Sequence, residues 1–100
     1  MDIEKTKELQ SFEWDNGNTE KVYRKHKVKP FECEEVFFDE NKILLKDVLH
    51  SIVEERYILL GKTMGKRLLF LVFTIRQHKI RIISARDTNK KERGLYEKTT

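Results

Sequence analysis

Residues Glu55–Arg86, ERYILLGKTMGKRLLFLVFTIRQHKIRIISAR, decide the fold. In their first part Arg56, Ile58, Leu60 and Lys62 alternate with Tyr57 and Leu59. A half-covered strand requires this period of two. Met64 and Gly65 close a tight turn. Leu68–Phe73 then runs through six consecutive apolar residues. That strand is expected at the centre of a sheet, covered on both faces. The stretch RQHK turns the chain again, and IRIISAR is the last strand. Connections this short join antiparallel neighbours, so the stretch is a meander.

Working outward, KILLKD (Lys42–Asp47) adds a short apolar strand upstream. VLHSIVE, after it, stays open between a loop and a helical turn. Further back, SFEWD puts Phe12 and Trp14 on one side of a short strand, and NGN breaks the chain. Asn18 is expected to cap a helix that starts at Thr19. The helix must stop near Lys29, because Pro30 pushes the residue before it out of the α region. Pro30 itself opens a second helix at its first position. That helix is expected to turn Phe31, Val36, Phe37 and Phe38 toward a core. Asn89 and Glu92 have the spacing of a capping box for a final helix. The expected class is therefore α+β: an antiparallel meander packed by two N-terminal helices and one C-terminal helix.

Length and composition bound the rest. One hundred residues make one domain with one core. We place it at residues 11–98. Residues 1–10 are a polar leader, expected to be mobile and dispensable for stability. They do not resemble a signal peptide, no apolar run is long enough for a membrane span, and Cys33 is the sole cysteine. A reducing, cytoplasmic setting is expected. The net charge of +4 is unevenly spread: residues 1–55 carry −5 and residues 56–100 carry +9. A basic half suits a polyanion, because neutralised phosphates release counterions. It equally suits a merely solvated face.

Metal and nucleotide chemistry find little in the sequence. Three scattered histidines and one cysteine give no HExxH or CxxC pattern, and no glycine-rich phosphate loop exists. No cofactor is expected.

FEWD, RKHKV with FECEEVFFD, ERYILLGKT, RLLFLVFT, RIISAR and KKERGLYE occur in an order that resembles the BrnT family. The resemblance covers about residues 11–98. It implies a RelE-like fold and a ribonuclease toxin that inhibits growth. It also implies a complex with a BrnA-type ribbon-helix-helix antitoxin, which makes the DNA contact. Three positions depart from the pattern: Val22 stands for an Asn, Lys62 for an Arg, and Lys27 for a Gly. A glycine at a helix end normally supplies a positive φ.

Metal-free RNA cleavage needs a base for the 2′-hydroxyl, cations for the phosphate and an acid for the leaving oxygen. Arginine offers a rigid fork of donors matched to phosphate oxygens. Arg81 and Arg86, at the end of the sheet, are the first candidates. They have opposite parity and converge only if the strand bulges or ends before Arg86. His26 is a candidate acid or base, and Glu55 a base or an orienter of an arginine. Lys25, Arg56, Lys62 and Tyr96 are candidate RNA contacts. Arg76, read as a turn residue, is expected to be inert. Each candidate also has a bland reading as a solvated or packed side chain. Three other functions stay open: an RNA-binding module without cleavage, a protein-interaction subunit, and a DNA binder lacking a helix-turn-helix pattern.

Overall fold

The computed structural model describes residues 11–48 and 54–98. The leader and His50 lie outside them. The elements are α1 (Asn16–His26), α2 (Pro30–Val36), β1 (Ile43–Lys46), β2 (Tyr57–Lys62), β3 (Leu68–Arg76), β4 (Lys79–Asp87) and α3 (Lys90–Glu97). The strands form one antiparallel sheet in the order β1-β2-β3-β4, the expected meander. The class is α+β, with three helices against the four strands.

The first helix starts earlier than expected. Asp15, not Asn18, is its cap: the Asp15 side chain accepts from the Asn18 amide, and the Asn18 side chain accepts from the Asp15 amide. Asn18 is buried and also donates to the carbonyls of Glu13 and Ile82. Gly17 therefore sits inside the first turn instead of breaking the chain. The short strand expected around Phe12 is reduced to one parallel bridge on the β4 edge, Phe12 to Ile80.

α1 and α2 cover one face of the sheet. Val22, Val28, Cys33 and Val36 meet Leu59, Leu69, Leu71, Phe73, Ile80, Ile82 and Ala85 there. Phe37 stands edge-on to both Phe12 and Phe73, with centroids 5.2 Å and 5.0 Å away. Phe31 and Phe38 correct the expectation: they are 56% and 69% exposed. Phe31 lies two positions from the inward Cys33, about 200° around α2, and Phe38 lies in the turn beyond the helix end.

β3 is covered fully on one face only. On the other, Phe70 and Val72 are half-buried. α3 lies over one end of that second face. Its Tyr96 is 2% exposed, and Lys62 Nζ sits 5.5 Å from the Tyr96 ring centroid. The register between β3 and β4 shifts at Val72/Phe73, where Ser84 faces Val72 and Ile82 faces Phe73. Ile83 is the extra residue of a bulge. It reverses the parity of the residues beyond it, so Arg81 (opposite Thr74) and Arg86 (opposite Phe70) share one face.

The β3–β4 hairpin turns through Gln77 and His78, both at positive φ. α1 ends on Lys27, whose φ of 58° and ψ of 37° are left-handed. A lysine incurs a steric cost there that a glycine avoids. Its ammonium lies 5.2 Å from the Tyr23 ring centroid, a small offset at an exposed site. Lys27→Gly is expected to stabilise the fold by about 0.5–1 kcal/mol. A thermal melt should show a rise of a few degrees, and a fall would contradict the left-handed cap.

Candidate active site

The bulge and the start of α1 shape one cleft at the β4 edge. It has a volume of about 190 Å³ and is lined by Gly17, Lys21, Glu54, Arg56, Arg76 and Arg81, with Asn18, Ile82 and Ile83 behind. α1 supplies the lysine. The ends of β3 and β4 supply Arg76 and Arg81. The segment entering β2 supplies Glu54 and Arg56, and Thr74 Oγ1 holds that segment by donating to the Glu55 carbonyl at 2.7 Å.

The arginines are braced by carboxylates. Arg81 Nη1 donates to Glu13 at 2.8 Å and to Asp15 at 2.9 Å, and Nη2 donates to Asp15 at 3.2 Å. Its side chain is only 16% exposed, so the bland reading as a solvated strand residue does not hold: Arg81 ties β4 to the start of α1. Nε and one Nη2 hydrogen remain for a ligand. The bond from Arg81 holds the Asp15 carboxyl below its usual range. Arg76 grips Glu54 through Nε at 3.1 Å and Nη2 at 2.9 Å. That bond keeps the Glu54 carboxyl below its usual range. Arg76, expected to be inert, thus stands in the cleft beside Arg81.

The other residues singled out on the sequence lie apart. Arg86 forms a fork to Glu92, with both bonds at 2.7 Å, and its guanidinium lies 4.0 Å from the Phe70 ring centroid. It anchors α3 to the sheet. Tyr96 donates to Asp39 at 2.6 Å, and burial, then this bond, pushes its hydroxyl up to about 12. That hydroxyl is turned inward. Lys62 also belongs to this corner, since its amide donates to Asp39 at 2.8 Å.

Glu55 accepts from Tyr57 at 2.7 Å and from Lys46 at 3.1 Å. Its neighbour Glu54 is the carboxylate that holds an arginine of the cleft. His26 closes α1. Nine residues separate it from Gly17, about 13 Å along the helix axis, so it does not share a phosphate with Arg81. Lys25 is exposed on α1. Cys33 is buried, and burial pushes its thiol up to about 12, which removes it as a nucleophile.

Sequence reasoning missed Glu54 and Arg67. Arg67 Nε and Nη2 donate to Asp87 at 2.7 Å and 2.9 Å. Its Nη1 donates to Glu32 at 3.1 Å, and its two Nη groups reach the carbonyls of Lys27 and His26. The partners lie 20 to 41 positions away in sequence, so no local pattern signals them. Among the described residues no group of three or more His, Cys, Asp and Glu is arranged to hold a metal ion. No described helix is long and apolar enough to cross a membrane.

Comparison with family models gives a match over residues 14–92 to the ribonuclease toxin BrnT of type II toxin-antitoxin systems. No curated protein matches the chain.

Proposed function

The chain belongs to the BrnT family of ribonuclease toxins of type II toxin-antitoxin systems, and from that premise we propose that the β4-edge cleft cleaves RNA without a metal. The observation that carries this reading is convergence. Lys21, Arg56, Arg76 and Arg81 come from separate elements to one cleft whose lining includes the carboxylate of Glu54, while Glu13 and Asp15 brace Arg81. A phosphate between the arginines would meet fixed donors that need no rearrangement as charge builds up.

In the proposed reaction Glu54 takes the proton of the 2′-hydroxyl. The 2′-oxygen attacks phosphorus, and the bond from phosphorus to the 5′-oxygen breaks. The arginines stabilise the crowded phosphate. The leaving oxygen takes a proton from the Lys21 ammonium. The products are a 2′,3′-cyclic phosphate and a free 5′-hydroxyl. His26 has no place in this scheme, because it lies at the far end of α1.

On the same reading an antitoxin covers the basic part of the chain, as a BrnA-type ribbon-helix-helix protein would. Such a partner would exclude RNA and prevent growth inhibition until it is removed. The test of the chemistry is direct. Cleavage of RNA by the purified protein is expected to continue in excess EDTA and to leave cyclic phosphate ends. Activity that returns only with a divalent ion, giving 5′-phosphate ends, would overturn the mechanism.

A further inference from the structure

A second groove, of about 470 Å³, runs along the outer flank of α1 between Asn16 and Lys25. It shares Gly17 and Lys21 with the cleft, so the two adjoin at the start of α1. Gly17, Lys21 and Lys25 succeed one another at four-residue steps and form one row. The row starts on a glycine that the backbone does not need, since its φ is not positive. Helix propensity disfavours glycine there. A Cβ at position 17 would stand 3.1 Å from Asp15 Oδ1 and 3.8 Å from Arg81 Nη2. The glycine therefore leaves room for the ion pair of Asp15 and Arg81 where groove and cleft adjoin.

Charge points the same way. Arg67, Arg76, Arg81 and Arg86 are each held by a carboxylate. Lys21 and Lys25 enter no ion pair among the described residues. Arg24, between them, makes only a 3.6 Å contact with Glu20, and both side chains are mostly exposed. The cleft itself sets four cations against Glu54, Glu13 and Asp15, which leaves little net charge to draw in a polyanion. Beside the cleft, the cations outside ion pairs among the described residues lie along α1; those of α3 stand away from it.

We infer that this row is the track for an unpaired RNA strand leaving the cleft on one side of the cleaved phosphate. This rests on the reading of the cleft as the active site. Lys21 and Lys25 are about 6 Å apart along the helix, the scale of successive phosphates in an extended strand. Flexible ammonium groups hold such a backbone as point charges, without reading its sequence. An unpaired strand is specified because in-line attack by a 2′-hydroxyl needs a nucleotide free to leave A-form geometry.

The test uses the intact protein and a fluorescent single-stranded RNA whose 2′-hydroxyls are replaced by hydrogen, so that it binds without being cut. Lys25→Glu is expected to weaken binding about tenfold. Lys25→Ala should lower the slope of log affinity against log salt by roughly 0.7, the value for one phosphate contact on a single strand. With cleavable RNA, Lys25→Glu should raise KM and leave kcat at saturation unchanged. Lys91→Glu, the same charge change on exposed α3, should do neither.

Equal losses in Lys25→Glu and Lys91→Glu would overturn the track in favour of bulk charge. Unchanged binding in Lys25→Glu would overturn it outright, and an equal loss for a matched duplex would overturn the unpaired strand. Failure of the active-site reading shows elsewhere, as undiminished cleavage after a change at Arg76.

Discussion

Arg67→Met is expected to destabilise the protein by about 2–3 kcal/mol, read as a shift of the urea midpoint with little change in slope. The side chain is 28% exposed, so solvent softens the loss without removing it. Methionine keeps the length of the stem but none of the five donors. Glu32, only 16% exposed, loses its cation. The carbonyls of His26 and Lys27 lose their donors at the end of α1. Those carbonyls belong to the helix end that no intrahelical bond satisfies. One side chain thus ties α1, α2 and β4 to the start of β3.

The pH dependence gives this prediction a second readout. The bond from Arg67 lowers the folded pKa of Asp87. A lowered folded value contributes stability above the unfolded pKa, about 3.9, and loses it as pH falls through the folded value. Arg67→Met removes that contribution. The gap between the two proteins should therefore narrow as the pH falls below about 4. A constant gap down to about pH 2 would mean that Arg67 acts through packing alone.

The meander was legible because alternation and turn chemistry are local signals. β2 falls where its period of two placed it, β3 where the apolar run did, and β4 after the turn at RQHK. The helix start was not legible, because Asp15 and Asn18 can both cap and only their mutual bonds decide. Phe31 and Phe38 misled for a related reason. Apolar character says that a side chain prefers burial, but which helical row faces the sheet depends on how α2 docks, and Cys33 and Val36 define that row.

The site was half legible. Arg81 was a candidate mainly through the family resemblance, and spacing said only that it and Arg86 converge if the strand bulges or ends before Arg86. The position of the bulge could not be stated, since one extra residue in IRIISAR can be Ile82, Ile83 or Ser84 with similar chemistry. Glu54 and Glu55 illustrate the same limit. Both precede β2, yet a shift of one residue exchanges a partner of Arg76 for a partner of Lys46. The mixed charge of the chain also reads differently once folded. Arg67, Arg76, Arg81 and Arg86 are paired with carboxylates, while Lys21 and Lys25 enter no ion pair among the described residues.

Arg76→Ala is expected to cut RNA cleavage by roughly 10²–10³-fold, the usual cost of losing one preorganised donor to a charged transition state. The melting temperature should hardly move. Arg76 ends β3, is half-exposed, and among the described residues its ion-pair partner is Glu54 alone. Arg81→Ala should lose comparable activity but also melt earlier, because Arg81 restrains Glu13 and Asp15 at the start of α1. The two variants therefore separate chemistry from architecture within one cleft. Arg76→Lys keeps the charge without the fork and should rescue only part of the rate. The pH profile adds a readout that a purely structural role would not move. Arg76 holds the Glu54 carboxyl below its usual range. Without it the carboxyl titrates nearer the ordinary value of about 4.3. A base must be ionised to act, so the acid limb of kcat/KM should shift to higher pH in Arg76→Ala. Arg93→Ala, exposed on α3, is the control and should leave rate and profile alone. Full cleavage by Arg76→Ala with an unmoved acid limb would remove the cleft as the catalytic site, whatever the stability of the variant.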